Sequence, residues 1–362
     1  TVACRVPQNV NEEENSGDIR YPAFVSAAIG LASGTTAFEN VTVNTKVSVA
    51  EEAVAAKKLH VWQAGFLGRC EGKKLTFQNC TWGSESTLTD ERTTDNQSIG
   101  GLAAEVMGGC EVSVDTCTLS GSITSKSDSN AKVGGLIAVS RGETQNGTTS
   151  ADTTIKISNL QVNEEKIDTN GANNTSGGLL GYQWKNTNVV FAAYVDNTAS
   201  ESGVTISGAT LNTNAQFGGL VYQATGYWDV TAKDSIVFEG TDNTKNNFTG
   251  KSSETSPSGL LAGTGLIKVT QSGEEVVESA LYLEVGTWGN ASDAAYKIGN
   301  NAVTLNIENS DYFDELVGTT KKDDAGNSNA VVSLAVRAGD VTAELIDTEG
   351  TGKNTYTGQL GN

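Results

Sequence analysis

Short segments in which apolar and polar residues alternate recur through most of the chain. They read Val41-Thr42-Val43-Asn44, Leu75-Thr76-Phe77-Gln78-Asn79-Cys80-Thr81-Trp82, Val112-Ser113-Val114-Asp115-Thr116-Cys117-Thr118-Leu119, Ile155-Lys156-Ile157-Ser158-Asn159-Leu160-Gln161-Val162 and Val204-Thr205-Ile206-Ser207-Gly208-Ala209-Thr210-Leu211. Period-two alternation of β-branched and polar residues predicts half-buried strands. A second element precedes each of them, most clearly Gly100-Gly101-Leu102, Gly134-Gly135-Leu136, Gly177-Gly178-Leu179 and Gly218-Gly219-Leu220. Weaker copies surround Leu31, Phe66 and Leu260, so that the steps along the series are 35, 36, 34, 43, 41 and 40 residues. A period in this range marks a repeat architecture.

Each repeat therefore predicts a Gly-Gly-Leu strand, a turn, a Val-Thr-Ile strand, a bend at Asn or Gly, and a short third strand such as Leu119 to Ile123. Three strands per turn of chain, each turn laid on the last, give an all-β, right-handed parallel β-helix of about seven to nine coils with loops. Coils about 4.8 Å apart would stack Leu102, Leu136, Leu179 and Leu220 as one inward ladder. The glycine pairs fit corners that need positive φ or close backbone approach. A β-sandwich would give turn signals every 8–12 residues without the longer period, and a propeller would carry Trp-Asp or kelch signatures. Helical periodicity is confined to Val49 to Lys58. Residues 1–22 read as an N-terminal segment or cap and 23–362 as solenoid, with Ala330 to Val336 and Val341 to Ile346 still alternating like coil strands. The chain starts at Thr1 with no visible signal peptide, and solenoids need caps, so one part of a longer protein is expected.

Composition narrows the partners. With 41 Gly, 3 Pro, 1 Met and 1 His the chain suits strands and tight corners. The net charge of −19 opposes nucleic acid and anionic membranes as partners, both of which demand basic surface. No apolar run approaches the roughly eighteen residues that a spanning helix needs.

The five cysteines are Cys4, Cys70, Cys80, Cys110 and Cys117, and their spacing does not suit zinc. Cys80 and Cys117 hold the same place in consecutive repeats, each followed by Thr, and are expected to touch, either as a disulfide or as two stacked thiols. Cys70 and Cys110 form a second candidate pair. Asn-x-Ser/Thr sequons at Asn40, Asn79, Asn96, Asn146, Asn173, Asn174, Asn247 and Asn290 are about as many as chance gives in so Asn-, Ser- and Thr-rich a chain.

The Gly-Gly-Leu element followed by a Val-Thr-Ile-Ser-Asn-(Cys/Leu)-Thr-Val strand resembles the GLUG-like, right-handed β-helix repeats of large secreted or cell-surface proteins, notably bacterial adhesins. The resemblance spans Ala27 to Val269. It implies an exported, acidic protein used for attachment or as fibrous surface material; it carries over no catalytic residue and names no ligand.

Catalytic triads need a histidine base, and the single His60 lies in an alternating stretch, where a solvent-facing strand end is expected. No phosphate-binding glycine motif is present. Glycoside hydrolysis needs two carboxylates roughly 5–9.5 Å apart; Asp229 with Asp234, or Asp311 with Asp314 and Glu315, are candidates. No catalytic centre and no resident cofactor are expected, calcium being the exception that the charge makes plausible: Glu12-Glu13-Glu14 with Asp18, Asp311 to Glu315, and Lys322-Asp323-Asp324 are oxygen-rich. The aromatics Tyr182, Trp184, Tyr222, Tyr227 and Trp228 fall in corresponding regions of adjacent repeats and make the candidate binding face, the alternative being that they fill the core. The expected function is a non-enzymatic stalk or adhesin at the cell surface, bearing on glycans, proteins or other copies of itself. A polysaccharide-binding or polysaccharide-degrading β-helix is the second reading, and a self-assembling extracellular filament subunit the third.

Overall fold

The structure, a computed structural model, describes residues 2–4, 21–50, 59–93, 97–143, 151–169, 171, 173–184, 186–192, 202–241, 243–253, 258–264, 266–271, 274–285, 292, 294–308, 313–314, 333–336, 341–346 and 353–358. These residues contain no helix; the helical expectation over Val49 to Lys58 lies almost wholly outside them. The chain winds as a right-handed parallel β-helix through seven coils: Tyr21–Val49, Leu59–Asp90, Gln97–Ser125, Ser129–Thr169, Asn173–Thr213, Phe217–Lys251 and Ser258–Glu308. Each coil has five faces rather than three. In coil 3 they are Gln97–Gly100 (face one), Ala103–Val106 (face two), Glu111–Asp115 (face three), Thr118–Leu119 (face four) and Ser122–Ser125 (face five), and each pairs in parallel with its equivalent above and below.

The extra corners have identifiable causes. The Gly-Gly-Leu element is itself a corner between faces one and two. A Cβ on Gly100 would collide with the carbonyl of Ala103 in the same coil, and one on Gly101 with the carbonyl of Gly135 in the next; the pairs Gly134-Gly135, Gly177-Gly178 and Gly218-Gly219 repeat both collisions. Close approach, and not positive φ, is therefore what these glycines supply, since among the described residues the positive-φ glycines are Gly109, Gly208 and Gly226. Between faces three and four the bend is made by Asn40, Asn79, Thr116, Asn159 and Asp234, all with φ between 51 and 56°. Asn and Asp tolerate this left-handed region best among residues with side chains. The turns stack as a ladder in which Asn79 donates from its amide to Asn40 (2.6 Å) and Ser202 donates to Asn159 (3.3 Å).

The leucine ladder forms as expected at its centre: Leu102 donates its N–H to Leu136, Leu136 to Leu179 and Leu179 to Leu220, and all four side chains are buried. Its ends differ from the sequence reading. Leu31 pairs with Arg69, two residues beyond the Ile29–Leu67 pair, and is 45% exposed. Leu220 donates to Leu261, so Leu260 takes the second-glycine place. Beyond coil 6, face three is supplied by Glu274–Val285, which also pairs antiparallel with Leu266–Gln271 and parallel with Ser333–Val336. Val341–Ile346 leaves the coil pattern and pairs antiparallel with Lys353–Gly358. At the other end, Val2–Cys4 extends face five by pairing with Val47 to Val49, so part of the N-terminal segment stacks on the solenoid.

The lumen is filled differently along its length. In coils 2 and 3 the Trp82 ring crosses it, wholly buried, against Gly65, Gly101 and Gly121, where any Cβ would strike the indole. Phe38, Phe66 and Phe77 complete this packing, with Phe38 and Phe77 stacked at 5.2 Å and Phe66 edge-on to both. In coil 4 the place of Gly121 is taken by Glu165, whose carboxyl points inward over Gly135. It is 2% exposed, its Oε1 has no hydrogen-bond partner among the described residues, and burial pushes its pKa well above the usual carboxylate range. Beside it lies a cavity with room for about one water molecule, lined by Val162, Ile167, Leu179, Ile206, Leu211 and Phe248 among others, none of the lining residues besides Glu165 being ionisable.

Candidate functional site

The candidate aromatic face divides in the structure. Trp228 is wholly buried: it pairs with the inward Val189 on face three, packs on Phe191 (5.2 Å), and donates its indole N–H to Gln183. Strand alternation explains this, because Trp228 and Val230 point in while Tyr227 and Asp229 alternate with them. Tyr222 is also buried, at 8% exposure, and Tyr227 is half-buried on the outer side of face three. The core alternative thus holds for Trp228. Tyr182 and Trp184 remain half-buried and adjacent, with ring centroids 5.1 Å apart.

These two rings end a continuous outer strip along faces one and two. On face one, Phe24, Trp62, Ser98 and Lys132 occupy one register row in coils 1 to 4. On face two, Arg69, Glu105, Val139, Tyr182 and Gln223 occupy another in coils 2 to 6. Just past face two, Glu71, Met107, Arg141, Trp184 and Thr225 form a third, each donating its backbone N–H to the coil before. Every link between the rows is a close contact. Phe24 stacks on Trp62 (5.0 Å) and His60 on the same indole (3.9 Å, 5° between planes). Arg69 lies over Trp62 (5.1 Å) and reaches Glu71 (3.2 Å) and Glu105 (3.3 Å). Glu105 also binds Arg141, Arg141 covers Trp184 (4.9 Å), and Lys132 lies 5.9 Å from the Tyr182 ring centre.

Face one and face two meet at the tight glycine corner, so their outward side chains are pressed together and half-buried. His60 is accordingly 8% exposed rather than solvent-facing, and its Nε2 lies 3.0 Å from the Ser98 hydroxyl. Tyr182 has its pKa raised by burial, an effect that the Arg141 charge and a hydrogen bond with Gln223 oppose. The indole N–H groups of Trp62 and Trp184 are buried and meet no acceptor among the described residues. Such donors are costly to leave unpaired.

The other candidates are placed as follows. Asp229 accepts from the backbone and hydroxyl of Thr231, and Asp234 binds Lys297, each satisfied locally. Asp314 contributes backbone to face one; Asp311, Glu315, Glu12 to Glu14, Asp18 and Lys322 to Asp324 lie outside the described residues. Among the described residues no three His, Cys, Asp or Glu side chains gather as a metal site. Cys80 and Cys117 are register neighbours whose thiols face backbone carbonyls, Cys80 that of Phe38 (3.2 Å) and Cys117 those of Asp115 (3.3 Å) and Phe77 (3.5 Å). Cys70 and Cys110 face each other, with sulfurs 3.7 Å apart. All four are free thiols and buried. No protein-family model matches the chain, no curated protein does, and no solved structure does.

Proposed function

We propose that this chain is a non-enzymatic, adhesive scaffold of an exported surface protein, akin to the GLUG-like repeat adhesins, and that the strip from Phe24 to Tyr182 is where it holds a glycan. The observation that carries the reading is the row of rings, Phe24 stacked on Trp62 and Tyr182 beside Trp184, interleaved with the guanidinium groups of Arg69 and Arg141. Aromatic faces suit the C–H faces of sugar rings, and the guanidinium groups beside them suit sugar hydroxyl oxygens. The strip crosses coils 1 to 5, four steps of about 4.8 Å, a length that suits several linked sugars better than one. Its rows are fixed by the parallel ladders, so little ordering accompanies binding. Glu105 is gripped by Arg69 and Arg141, an arrangement that serves electrostatic positioning rather than proton transfer.

A glycan array and a panel of neutral and acidic polysaccharides incubated with the protein test both halves. Binding without turnover is expected, weakened at least tenfold by Trp184→Ala combined with Tyr182→Ala, about 1.4 kcal/mol. Binding unchanged in that variant removes the strip; turnover that a single carboxylate substitution abolishes removes the non-enzyme reading.

A further inference from the structure

The four described thiols are not equivalent. Cys80 and Cys117 stack by register, yet each thiol finds backbone carbonyls of its own. Cys70 and Cys110 have no such outlet and are paired with each other. Cys70 ends face two of coil 2, and Cys110 stands four residues past Val106, the coil-3 residue in register with Cys70. The two sulfurs lie 3.7 Å apart, either able to donate to the other; contact with Cys110 and a hydrogen bond from the Gly72 amide hold the Cys70 pKa down, while contact with Cys70 and burial push the Cys110 thiol up. The two thiols are thus within reach of one another, with the Gly72 amide favouring the thiolate of Cys70, the form that attacks in thiol–disulfide exchange. Arg69 and Glu71, which flank Cys70, belong to the outer strip, so Cys70 lies on its inner side, with Cys110 beside it in the buried core.

We propose that Cys70 and Cys110 are the site of an inter-coil disulfide, made by exchange with a small disulfide of the glutathione class, which fastens coil 2 to coil 3 beneath the strip. The Cys70 thiolate attacks one sulfur of the oxidant, breaking its S–S bond and releasing one thiolate. Cys110 then loses its proton and attacks Cys70 Sγ of the mixed disulfide, releasing the second. The two cysteine protons pass to the two released thiolates; two protein thiols are oxidised and one small disulfide is reduced. Both sulfurs are at most 1% exposed, so exchange proceeds while the coils close during folding. The bond spans 40 residues of chain, long enough for loop closure to restrict the unfolded state appreciably.

The full chain is refolded from urea in reduced and oxidised glutathione, and protein exported into an oxidising compartment is collected in parallel. Both samples are alkylated and mapped without reduction. Trypsin, cutting at Arg69, Lys73, Arg92 and Lys126, and a glutamyl endopeptidase, cutting at Glu111, place Cys70, Cys80, Cys110 and Cys117 on separate peptides. The expected product joins the Cys70 and Cys110 peptides, survives Cys80→Ser with Cys117→Ser, and raises the melting temperature by about 5–10 °C, reversibly with dithiothreitol. Cys110→Ser should instead stop at a glutathione adduct on Cys70. Alkylation of Cys70 and Cys110 in both samples, or a bond between Cys80 and Cys117 in their place, overturns the assignment; a mapped bond with no change in melting overturns its fastening role.

Discussion

Coils 2 and 3 and coils 4 to 6 share one backbone plan and one ladder of buried side chains, Phe66 in coil 2 and leucine from coil 3 to coil 6, yet their interiors differ. The first is crossed by the Trp82 indole, with Gly65, Gly101 and Gly121 leaving space for it. The second has Glu165 in the place of Gly121 and a cavity beside it. At Gly178 the atoms within reach of an added Cβ are the carbonyl atoms of Gly219 alone, whereas at the equivalent Gly101 they include the Trp82 ring. Parallel ladders thus fix where side chains enter the lumen without fixing what fills it. Filling is decided coil by coil, and the cost differs: the indole completes close packing at the cost of one buried N–H that meets no acceptor among the described residues, while an unpaired carboxyl is tolerated only by staying protonated.

The largest effect expected from this contrast comes from emptying the filled region. Trp82→Ala should destabilise by about 3–5 kcal/mol, measured by urea unfolding; a loss under about 1 kcal/mol would mean that the lumen there collapses freely and that the two regions differ little. Next is Glu165→Leu, which should stabilise. The folded-state pKa of Glu165 is raised, so above the ordinary glutamate value of about 4.3 the unfolded chain gives up a proton that the folded chain retains. The wild type therefore loses stability as pH rises from there, by up to about 1.4 kcal/mol per unit, until the folded form ionises as well. The advantage of the leucine variant should accordingly widen from pH 4 towards pH 8 in thermal melts, and a constant difference would show that the carboxyl has a partner. The smallest effect is a control. Asn79→Ala and Asn159→Ala, one in each region, should each cost about 1 kcal/mol through strain at positive φ, with Asn79→Gly milder; clearly unequal costs would show that the regions differ at their turns and not only in the lumen.

Much of the outer strip was legible once the ladder was known. Arg69, Glu105, Val139, Tyr182 and Gln223 are each the third residue after Phe66, Leu102, Leu136, Leu179 and Leu220, and Glu71, Met107, Arg141, Trp184 and Thr225 are each the fifth. Sequence reasoning found Tyr182 and Trp184 by their aromaticity but passed over Arg69, Glu105 and Arg141, because spacings of 34 to 43 residues hide a constant offset unless counting restarts at every corner. Trp228 misled in the opposite way. Its place near Tyr222 suggested a face, while its own alternation with Tyr227 and Asp229 turned it inward, and alternation is the stronger constraint because a one-residue slip exchanges every side chain between core and surface. The count of strands per coil was short for a related reason: a corner made by two glycines reads as part of a strand when their need for close approach goes unrecognised.

By itself the sequence determined the class of fold, the repeat, the central leucine ladder, the bends at asparagine and the stacking of Cys80 on Cys117. These are consequences of local periodicity and of equivalent positions one coil apart, and each repeat states them again. Tertiary structure alone decided what depends on distances across a coil or between its faces: five faces instead of three, Trp82 spanning to glycines at three corners, Glu165 left without a partner over a cavity, and a run of cations and rings on two faces joined into one strip. Such contacts depend on the angle at which the faces meet, set by backbone packing at the glycine corners, and no spacing along the chain encodes that angle.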